Sequence, residues 1–292
     1  MGKQAKFYIG IDGGGTKCKA RLENANGQLL AEAIAGQANA ALDLTGTVQS
    51  IIQASEQAIK QANIADLSIN QLNAGIGLAG LNIPEVKQAF QALTLPFADY
   101  HVTTDLHIAC LGAHQSDKGA IVIIGTGSSG VVINGDQHVE LGGHGFVAGD
   151  KGSGAWLGKQ AVSFCLETLD GLHPLNPLSD AVLAELHCQS ALQLANLTLN
   201  AKPAFFATLA PTLFMQAKDQ QPEAIAIIAQ AADYINRLST KLLSFNTPRL
   251  SFIGGITDAL IPYLAPDIQT SIQPALASPE QGAILFSKLT SK

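Results

Sequence analysis

Two glycine-rich segments of this chain carry residue types that can bind phosphate. Residues 12–16 read Asp-Gly-Gly-Gly-Thr, and residues 125–130 read Gly-Thr-Gly-Ser-Ser-Gly. Glycine allows the positive φ angles of left-handed conformations and lets backbone N–H groups approach phosphate oxygens closely, and the hydroxyls of Thr16 and Thr126 add further donors. Either segment alone is better explained as an ordinary hairpin turn, but the occurrence of both favours phosphate binding.

Both segments lie in the same local pattern. An apolar run precedes each of them, at residues 7–11 and 121–124. The first segment is followed by residues of alternating polarity, and the second by another apolar run. An Asn-Gly pair, at residues 26–27 and again at 134–135, then turns the chain into a further strand. The repeated pattern predicts two related lobes that face one another.

Two common phosphate-binding motifs fit the first segment poorly. A P-loop or a dinucleotide-binding turn opens a helix, whereas residues 17–23 alternate as a half-buried strand does. The spelling also differs, because Thr16-Lys17 stands where a P-loop has Lys-Ser or Lys-Thr, and the later glycine of the dinucleotide motif is absent. The first segment is therefore not interpreted as either motif.

The stretch between the glycine segments contains a candidate catalytic acid. An amphipathic helix over about residues 45–63 leads to a buried strand at 74–79, which ends at Gly80. A short strand at 101–103 then meets a helix that begins at Thr104 and Asp105. Aspartate at such a junction is typical of a helix N-cap, and the helix N-terminus equally suits a base that accepts a hydroxyl proton.

Further candidates follow in the second half of the chain. We expect the flanking glycines to expose Asp150, which lies between Gly149 and a Lys-Gly-Ser-Gly run and could also cap the helix expected near Ser153. Gly254-Gly255 forms a tight turn between a buried strand and a helix, a place that could support a flat nucleoside. Residues 278–281, Ser-Pro-Glu-Gln, predict a capped helix start.

Composition narrows the class of protein. A length of 292 residues suffices for two domains. The net charge of −6 argues against nucleic acid as a partner, and no apolar run approaches the length of a membrane span. The first six residues lack the apolar region of a signal peptide, so we expect a cytoplasmic protein.

Cysteine and histidine indicate little chemistry. The four cysteines contain no C-x-x-C pair and lie in apolar or helical surroundings, which predicts structural thiols: Cys18, Cys110, Cys165 and Cys188. No pair of histidines stands at a zinc-ligand spacing with other ligands beside it. His107 is the likeliest histidine near a site, because it neighbours Asp105.

These motifs, in this order, resemble the N-acetylglucosamine kinase and bacterial glucosamine kinase family, the BadF/BadG/BcrA/BcrD-type ATPases. That family is part of the actin, hexokinase and heat-shock-protein ATPase superfamily. The resemblance covers nearly the whole chain and rests on residues 10–17, 104–105, 125–128, 149–153 and 254–255. Relatives include activators of radical dehydratases, which hold an iron–sulfur cluster between subunits, and the cysteine spacing here offers no obvious pair for one.

The resemblance implies an α/β fold of two ribonuclease H-like lobes, with mixed sheets flanked by helices and a cleft between the lobes. We expect an N-terminal lobe over residues 1–112 and a C-terminal lobe over 113–292, and leave open whether the last helix, about 279–290, packs on the N-terminal lobe. The implied reaction is ATP- and Mg²⁺-dependent phosphorylation of the 6-hydroxyl of glucosamine or N-acetylglucosamine. A homodimer is common among similar kinases.

The resemblance also implies roles for individual residues. Asp105 is expected to be the catalytic base at the 6-hydroxyl, and Asp12 to hold Mg²⁺ through water. The residues expected to bind ATP are Gly13, Gly14, Gly15, Thr16, Lys17, Gly125, Thr126, Gly127, Gly254 and Gly255. The residues expected to bind the sugar, besides Asp105, are Asn39, Gly80, Ser128, Ser129, Gly149 and Asp150.

Two other classes of function stay open at this point. One is a nucleotide-dependent activator of another enzyme, and the other is a sugar-sensing binding protein that turns nothing over. Retention of Asp105 and both glycine segments favours an enzyme. Ser129 stands where eukaryotic N-acetylglucosamine kinases have asparagine, so the acyl-group preference and the identity of the hexosamine stay open.

Overall fold

The structure is a computed structural model that describes residues 7–135 and 137–291. Its strands are β1 Phe7–Gly13, β2 Cys18–Asn24, β3 Leu29–Ala35, β4 Leu72–Leu78, β5 Asp99–Thr104, β6 Lys118–Ile124, β7 Ser128–Asn134, β8 Gln137–Gly142 and β9 Leu250–Ile253. Residues 1–6, which the sequence predicts to lack a signal peptide, lie outside the described residues.

The α-helices are α1 Leu44–Ala62, α2 Pro84–Gln91, α3 Asp105–His114, α4 Gly154–Leu169, α5 Pro177–Glu185, α6 Ala191–Thr198, α7 Pro203–Ala207, α8 Ala210–Lys218, α9 Pro222–Leu243, α10 Thr257–Leu260, α11 Pro266–Ser271 and α12 Pro279–Thr290. Short 3₁₀ helices occupy Ile69–Gln71 and Ile261–Tyr263. Among the described residues, no helix combines the length and apolar character that crossing a bilayer requires.

The chain forms two compact units. The first unit contains the described residues up to 119, together with those of 133–138 and 274–291, and the second contains residues 120–132 and 139–273. The first unit therefore combines the N-terminal part of the chain with helix α12 from its C-terminal end.

The first unit is built on a five-stranded mixed sheet in the order β3-β2-β1-β4-β5. Strands β1, β2 and β3 pair antiparallel, whereas β4 pairs parallel with both β1 and β5. Alternating apolar residues of the strands, such as Ile9 and Ile11 in β1, are fully buried and share a core with the buried face of α1, which includes Ile51 and Ala54. Buried apolar residues recur every second position in the strands and every three to four positions in α1. These are the periods that the sequence predicts for strands and an amphipathic helix.

Helix α12 packs closely on this sheet and on α3 because glycine lines the contacts. A Cβ on Gly10 of β1 would overlap the backbone carbonyl of Glu280, and a Cβ on Gly75 of β4 would overlap that of Ala283. Gly282 of α12 meets α3 in the same way. The glycines therefore let the backbone of α12 lie directly against the sheet and against α3.

The second unit contains most of a four-stranded sheet in the order β8-β7-β6-β9, in which β6 and β9 are parallel. Residues of β6, such as Val122 and Ile124, share one core with buried residues of the long helices α4 and α9. The α/β class with two sheets flanked by helices is therefore confirmed.

Helix starts confirm one sequence prediction and correct two. Ser278 and Gln281 form the predicted capping box, with Pro279 at the first helical position. Asp105 is not the cap of its helix, because Thr104 takes that place and accepts a hydrogen bond from the His107 backbone. Asp150 likewise does not cap α4, since Ser153 Oγ accepts from the Trp156 backbone nitrogen at 3.1 Å.

Candidate functional site

In the first unit, the candidate residues gather where three parallel strands end. The register pairs Gly13 of β1 with Leu78 of β4, and Leu78 with Thr104 of β5. The carboxyl ends of these strands therefore lie side by side at one edge of the sheet. Asp12 precedes this edge and Asp105 follows it, and ligands of open α/β sheets commonly bind at the carboxyl ends of the strands.

The first glycine turn connects β1 to β2 at this edge. Gly14 N donates to Lys17 O at 3.0 Å, which closes the turn, and Gly14 O accepts from Ala38 N at 2.9 Å. A Cβ on Gly13 would crowd the Leu78 side chain, whereas one on Gly15 would meet nothing within 4 Å. Gly13 is thus required for space, whereas residues 15–17, the remainder of the turn, are exposed.

None of the glycines in either glycine-rich segment, residues 12–16 and 125–130, adopts a positive φ. The sequence argument that glycine serves these turns by its left-handed conformations is therefore wrong for residues 13–15, 125 and 127. The physical reason for glycine at residue 13 is steric, since the turn packs against β4. At residue 15 the benefit is close backbone access from outside.

The carboxyl group of Asp12 lies in an unusual electrostatic environment. Burial is the largest cause that raises its pKa, from 3.8 to about 7, and the negative charges of Glu280 and Asp105 raise it further. Lys17 and Lys19 oppose this increase with smaller effects. The two lysines therefore only partly offset the effects of burial and of the neighbouring negative charges on the Asp12 carboxyl group.

Asn39 and Gly80 meet beside the same edge. Asn39 forms an isolated parallel bridge with Ala79, which directly follows β4, and Ala40 N donates to Ala79 O at 3.1 Å. Asn39 Oδ1 accepts from Ala41 N at 3.0 Å, which fixes the amide. Gly80 has a φ of +85°, and a Cβ there would lie 2.8 Å from Asn39 Oδ1. The sequence-predicted pair is therefore brought together, with Gly80 required by both conformation and space.

Asp105 is the first residue of α3. Its Oδ1 accepts a hydrogen bond from Leu106 N at 2.9 Å, so the carboxylate is turned toward the helix N-terminus. Thr103, two residues earlier in β5, bonds His107 Nδ1 through its hydroxyl at 2.8 Å. The ring centroids of His107 and His138 lie 4.7 Å apart, so the imidazole of His107 packs against a second histidine as well as bonding Thr103.

In the second unit, the second glycine turn and the Gly254-Gly255 turn lie together. Residues 125–127 follow β6, and residues 254–255 follow β9, its parallel neighbour. Gly254 has a φ of +126°, and a Cβ there would overlap the backbone of Ile124, the last residue of β6. The positive φ and the close approach both require glycine at 254, and they hold the two turns side by side.

Asp150 belongs to the same region. A Cβ on Gly127 would lie 3.0 Å from Asp150 Oδ2, and Ser128 Oγ donates to Lys151 O at 2.8 Å. Burial raises the pKa of Asp150, while hydrogen bonds from the backbone N–H groups of Ser128 and Gly145 lower it. The second glycine turn, Ser128 and Asp150 therefore form one connected group.

Ser129 stands apart from this group. It is the second residue of β7, where successive side chains point to opposite faces, and Ser128 is the buried one of the two. A Cβ on Gly143 would lie 3.2 Å from the Ser129 Cβ. The structure thus separates the two serines that the sequence groups together.

Two residues near Asp12 were not identified from the sequence. Lys19 lies opposite Asp12 in the β1–β2 register, and its Nζ is 3.3 Å from Glu280 Oε1. Lys19 belongs to an alternating strand, and Glu280 to a capped helix start, so each has an ordinary local explanation. Because Lys19 and Glu280 are far apart in the sequence, no local pattern could predict their contact.

All four cysteines are buried, as the sequence predicts. Burial raises the pKa of both Cys18 and Cys110 to about 12, which keeps these thiols protonated. In the part of the chain that the structure describes, no cluster of three or more His, Cys, Asp or Glu side chains is arranged to hold a metal by itself.

Comparison with known proteins gives relatives over nearly the full chain. The chain is 32% identical to the glucosamine kinase GspK of Vibrio cholerae over 281 residues, which covers 96% of this chain and 95% of that one. It is 25% identical over 258 residues to an N-acetyl-D-glucosamine kinase of Dictyostelium discoideum, with 81% and 80% of the two chains covered.

Solved structures of sugar kinases also resemble this chain. A candidate N-acetylglucosamine kinase from Chromobacterium violaceum superposes with a TM-score of 0.88 at 32% identity, covering 97% of this chain and 99% of the other. A ROK family glucokinase from Streptomyces griseus, solved with glucose and AMPPNP, shares the fold with a TM-score of 0.55 at 18% identity, over 97% and 98% of the two chains. A sequence model of the BadF/BadG/BcrA/BcrD ATPase family matches residues 9–287, so the chain belongs to this family.

Proposed function

We propose that this protein is an ATP-dependent kinase that phosphorylates the 6-hydroxyl of an amino sugar, either glucosamine or N-acetylglucosamine. The observation that carries the proposal is the shared edge of β1, β4 and β5, where the first phosphate turn, Asn39 with Gly80, and Asp105 lie together. A phosphate-binding turn, a hydroxyl-binding amide and a carboxylate base are the groups that phosphoryl transfer to a sugar requires. Membership of an ATPase family and the names of the relatives support the same reaction.

The residues proposed to bind ATP are divided between the two units. In the first unit these are the backbone N–H groups of residues 13–17 and the Thr16 hydroxyl. In the second unit they are Gly125, Thr126 and Gly127 for phosphate, with Gly254 and Gly255 beside the nucleoside. Catalysis of phosphoryl transfer depends mostly on positioning and on neutralising charge, which such preformed turns provide without covalent chemistry.

A magnesium ion fits the surroundings of Asp12, because an excess of carboxylates surrounds a partly buried acid there. Asp12 would hold the ion, and the ion would supply positive charge against the phosphate oxygens of ATP. The remaining work falls to side chains of the protein. Lys17, in the exposed part of the turn, would add a further cation toward the phosphates.

Asp105 would act as the general base. The sugar 6-oxygen forms a bond to the γ-phosphorus while the bond from that phosphorus to the β,γ-bridging oxygen of ATP breaks, which releases ADP. The proton of the 6-hydroxyl passes to the Asp105 carboxylate. The dipole of α3 favours the charged form of a carboxylate at this helix terminus, and the bond from Leu106 N at 2.9 Å orients it.

The other sugar hydroxyls would be bound by Asn39 and Gly80 in the first unit. Asn39 Oδ1 is occupied by Ala41 N, so Nδ2 is the atom that would donate to the sugar. In the second unit, Asp150, Gly149, Ser128 and Ser129 are the proposed sugar contacts. Asp150 and Ser128 carry more weight than Ser129, because the structure joins them in one group.

An activator of a radical dehydratase is the less favoured function. Such an activator needs cysteines that reach a cluster shared between subunits, and all four cysteines here are buried. A sugar sensor without turnover would have no need for a carboxylate at the position of Asp105.

The test is product formation by the purified protein. Mg-ATP is incubated with glucosamine, N-acetylglucosamine, N-acetylmannosamine, glucose or no sugar, and ³¹P NMR identifies the phosphate ester and its position. The proposal predicts a 6-phosphate of one amino sugar. Release of inorganic phosphate that is independent of sugar would favour the activator, and binding of an amino sugar without a phosphorylated product would favour the sensor.

A further inference from the structure

Glu280 is a buried acid to which the proposed reaction assigns no role. It lies in the first turn of α12, and only 3% of its surface is exposed. Its backbone carbonyl lies where a Cβ of Gly10 would be, so the position of the residue on the sheet is fixed by close backbone packing.

The Glu280 carboxylate is only half satisfied. Oε1 is 3.3 Å from Lys19 Nζ, but Oε2 is buried and has no hydrogen-bond partner among the described residues. A buried acceptor without a partner costs about 1–3 kcal/mol, and more when it is charged. Among the buried side-chain atoms of the described residues that lack a partner, Oε2 is the only carboxylate oxygen, so a partner from outside the chain would contribute most there.

Glu280 shares a face of the sheet with Asp12. Gly10 and Asp12 are two residues apart in β1, so both face the side on which α12 packs. Lys19 lies directly opposite Asp12 on β2, which places its side chain on the same face. Lys19 is therefore on the same face as both carboxylates, and it also pairs with Glu32, whose Oε1 is 3.5 Å from Nζ.

Helix stabilisation does not explain the glutamate. An acid in the first turn of a helix contributes about 0.3–1 kcal/mol when exposed. Here the helix start is already capped by Ser278 and Gln281, and Glu280 is buried rather than exposed. Pairing with Lys19 is an equally weak reason, since that lysine has Glu32 as a second, more accessible partner.

We propose that Glu280 is a positioning residue for the divalent cation that accompanies ATP at Asp12, to which it offers negative charge and the unpartnered Oε2 as an acceptor for the water shell of the cation. This inference rests on the proposed Mg-ATP site but not on the identity of the sugar. Residues outside the direct ligands commonly change metal affinity by about 10–100-fold when they are replaced.

The test compares Glu280→Gln with the matched variant Glu32→Gln. Each replacement removes one carboxylate partner of Lys19, but only the first removes the buried one. The dissociation constant of ADP is measured by isothermal titration calorimetry without sugar, once in excess Mg²⁺ and once in EDTA. Thermal unfolding without ligand checks that each variant is folded.

We expect Glu280→Gln to weaken ADP binding in Mg²⁺ by about 10-fold or more and to leave it unchanged, or make it tighter, in EDTA. Tighter binding in EDTA would follow because the loss of a negative charge reduces repulsion of the ADP phosphates. Glu32→Gln should stay within about twofold of the unmodified protein in both conditions, as for an exposed pair.

Three results would overturn the inference. Equal weakening of ADP binding by Glu280→Gln in Mg²⁺ and in EDTA would indicate a purely structural role, and equal effects of the two variants would indicate an effect of Lys19 alone. The third is an ADP affinity of the unmodified protein that does not change with Mg²⁺. None of these measurements contains a sugar. A failure of the amino-sugar assignment would instead appear only in the product assay, so the two failures are distinguishable.

Discussion

Gly10 and Gly75 stand opposite each other in the parallel register of β1 and β4, and the backbone of α12 lies over both of them. A side chain at either position would occupy the place of a carbonyl oxygen, that of Glu280 over Gly10 and that of Ala283 over Gly75. The glycine pair thus determines how closely α12 approaches the strand that carries Asp12.

Gly75→Ala should destabilise the protein by about 3 kcal/mol, because the new Cβ can be accommodated only if α12 moves away from the sheet. The measurement is the midpoint and slope of denaturant unfolding. Gly15→Ala is the matched control for stability, since a Cβ at that position meets nothing within 4 Å. Equal stability of the two variants would contradict the close packing of α12.

Asp12 predicts a pH dependence of stability in the metal-free protein. Its pKa is about 7 when folded and 3.8 ordinarily, so between these values the folded state retains a proton that the unfolded state has lost. Stability contributed by the protonated acid is therefore present below about pH 4 and is lost as pH rises toward 7. The full effect is on the order of 4 kcal/mol.

Asp12→Asn should remove this contribution. The free energy of unfolding of the variant, minus that of the unmodified protein, should therefore increase from pH 4 to pH 8 when both are measured in EDTA. Asp66→Asn serves as the control, because Asp66 is exposed and asparagine tolerates its φ of +60°. Parallel pH profiles for Asp12→Asn and the unmodified protein would contradict the raised pKa.

Asn39 predicts a separable effect on the sugar. Asn39→Asp keeps an oxygen that can accept from Ala41 N, so the turn is preserved, but it removes the Nδ2 donor. We expect the KM for the amino sugar to increase about 10-fold, which corresponds to about 1.4 kcal/mol, with the KM for ATP unchanged. An unchanged KM for the sugar would remove Asn39 from the sugar site.

Local patterns of the sequence predicted much of the fold. The strands on either side of the first glycine turn, helix α1 and the capping box of α12 follow from periodicity and cap residues, which act over a few positions. The same local reasoning placed the cap of α3 one residue too late, because Thr104 and Asp105 are both good cap residues and only the backbone geometry separates them.

Contacts between distant segments could not be predicted in this way. Glu280 follows Lys19 by most of the chain, and only the packing of α12 on Gly10 and Gly75 brings it to the Asp12 side of the sheet. The position of Ser129 was likewise hidden, since strand alternation separates it from Ser128 only once the strand is known to begin there. The electrostatics of Asp12 arise from these nonlocal contacts.

Asp105 is proposed to be the base of an amino-sugar kinase. The most direct test of this role is sugar-stimulated ADP release by Asp105→Asn beside that of Asp66→Asn, with ADP affinity measured for both. We predict turnover about 10²–10⁴-fold lower for Asp105→Asn with little change in ADP affinity, and unchanged turnover for Asp66→Asn. Near-normal turnover of the Asp105→Asn variant would contradict the claim.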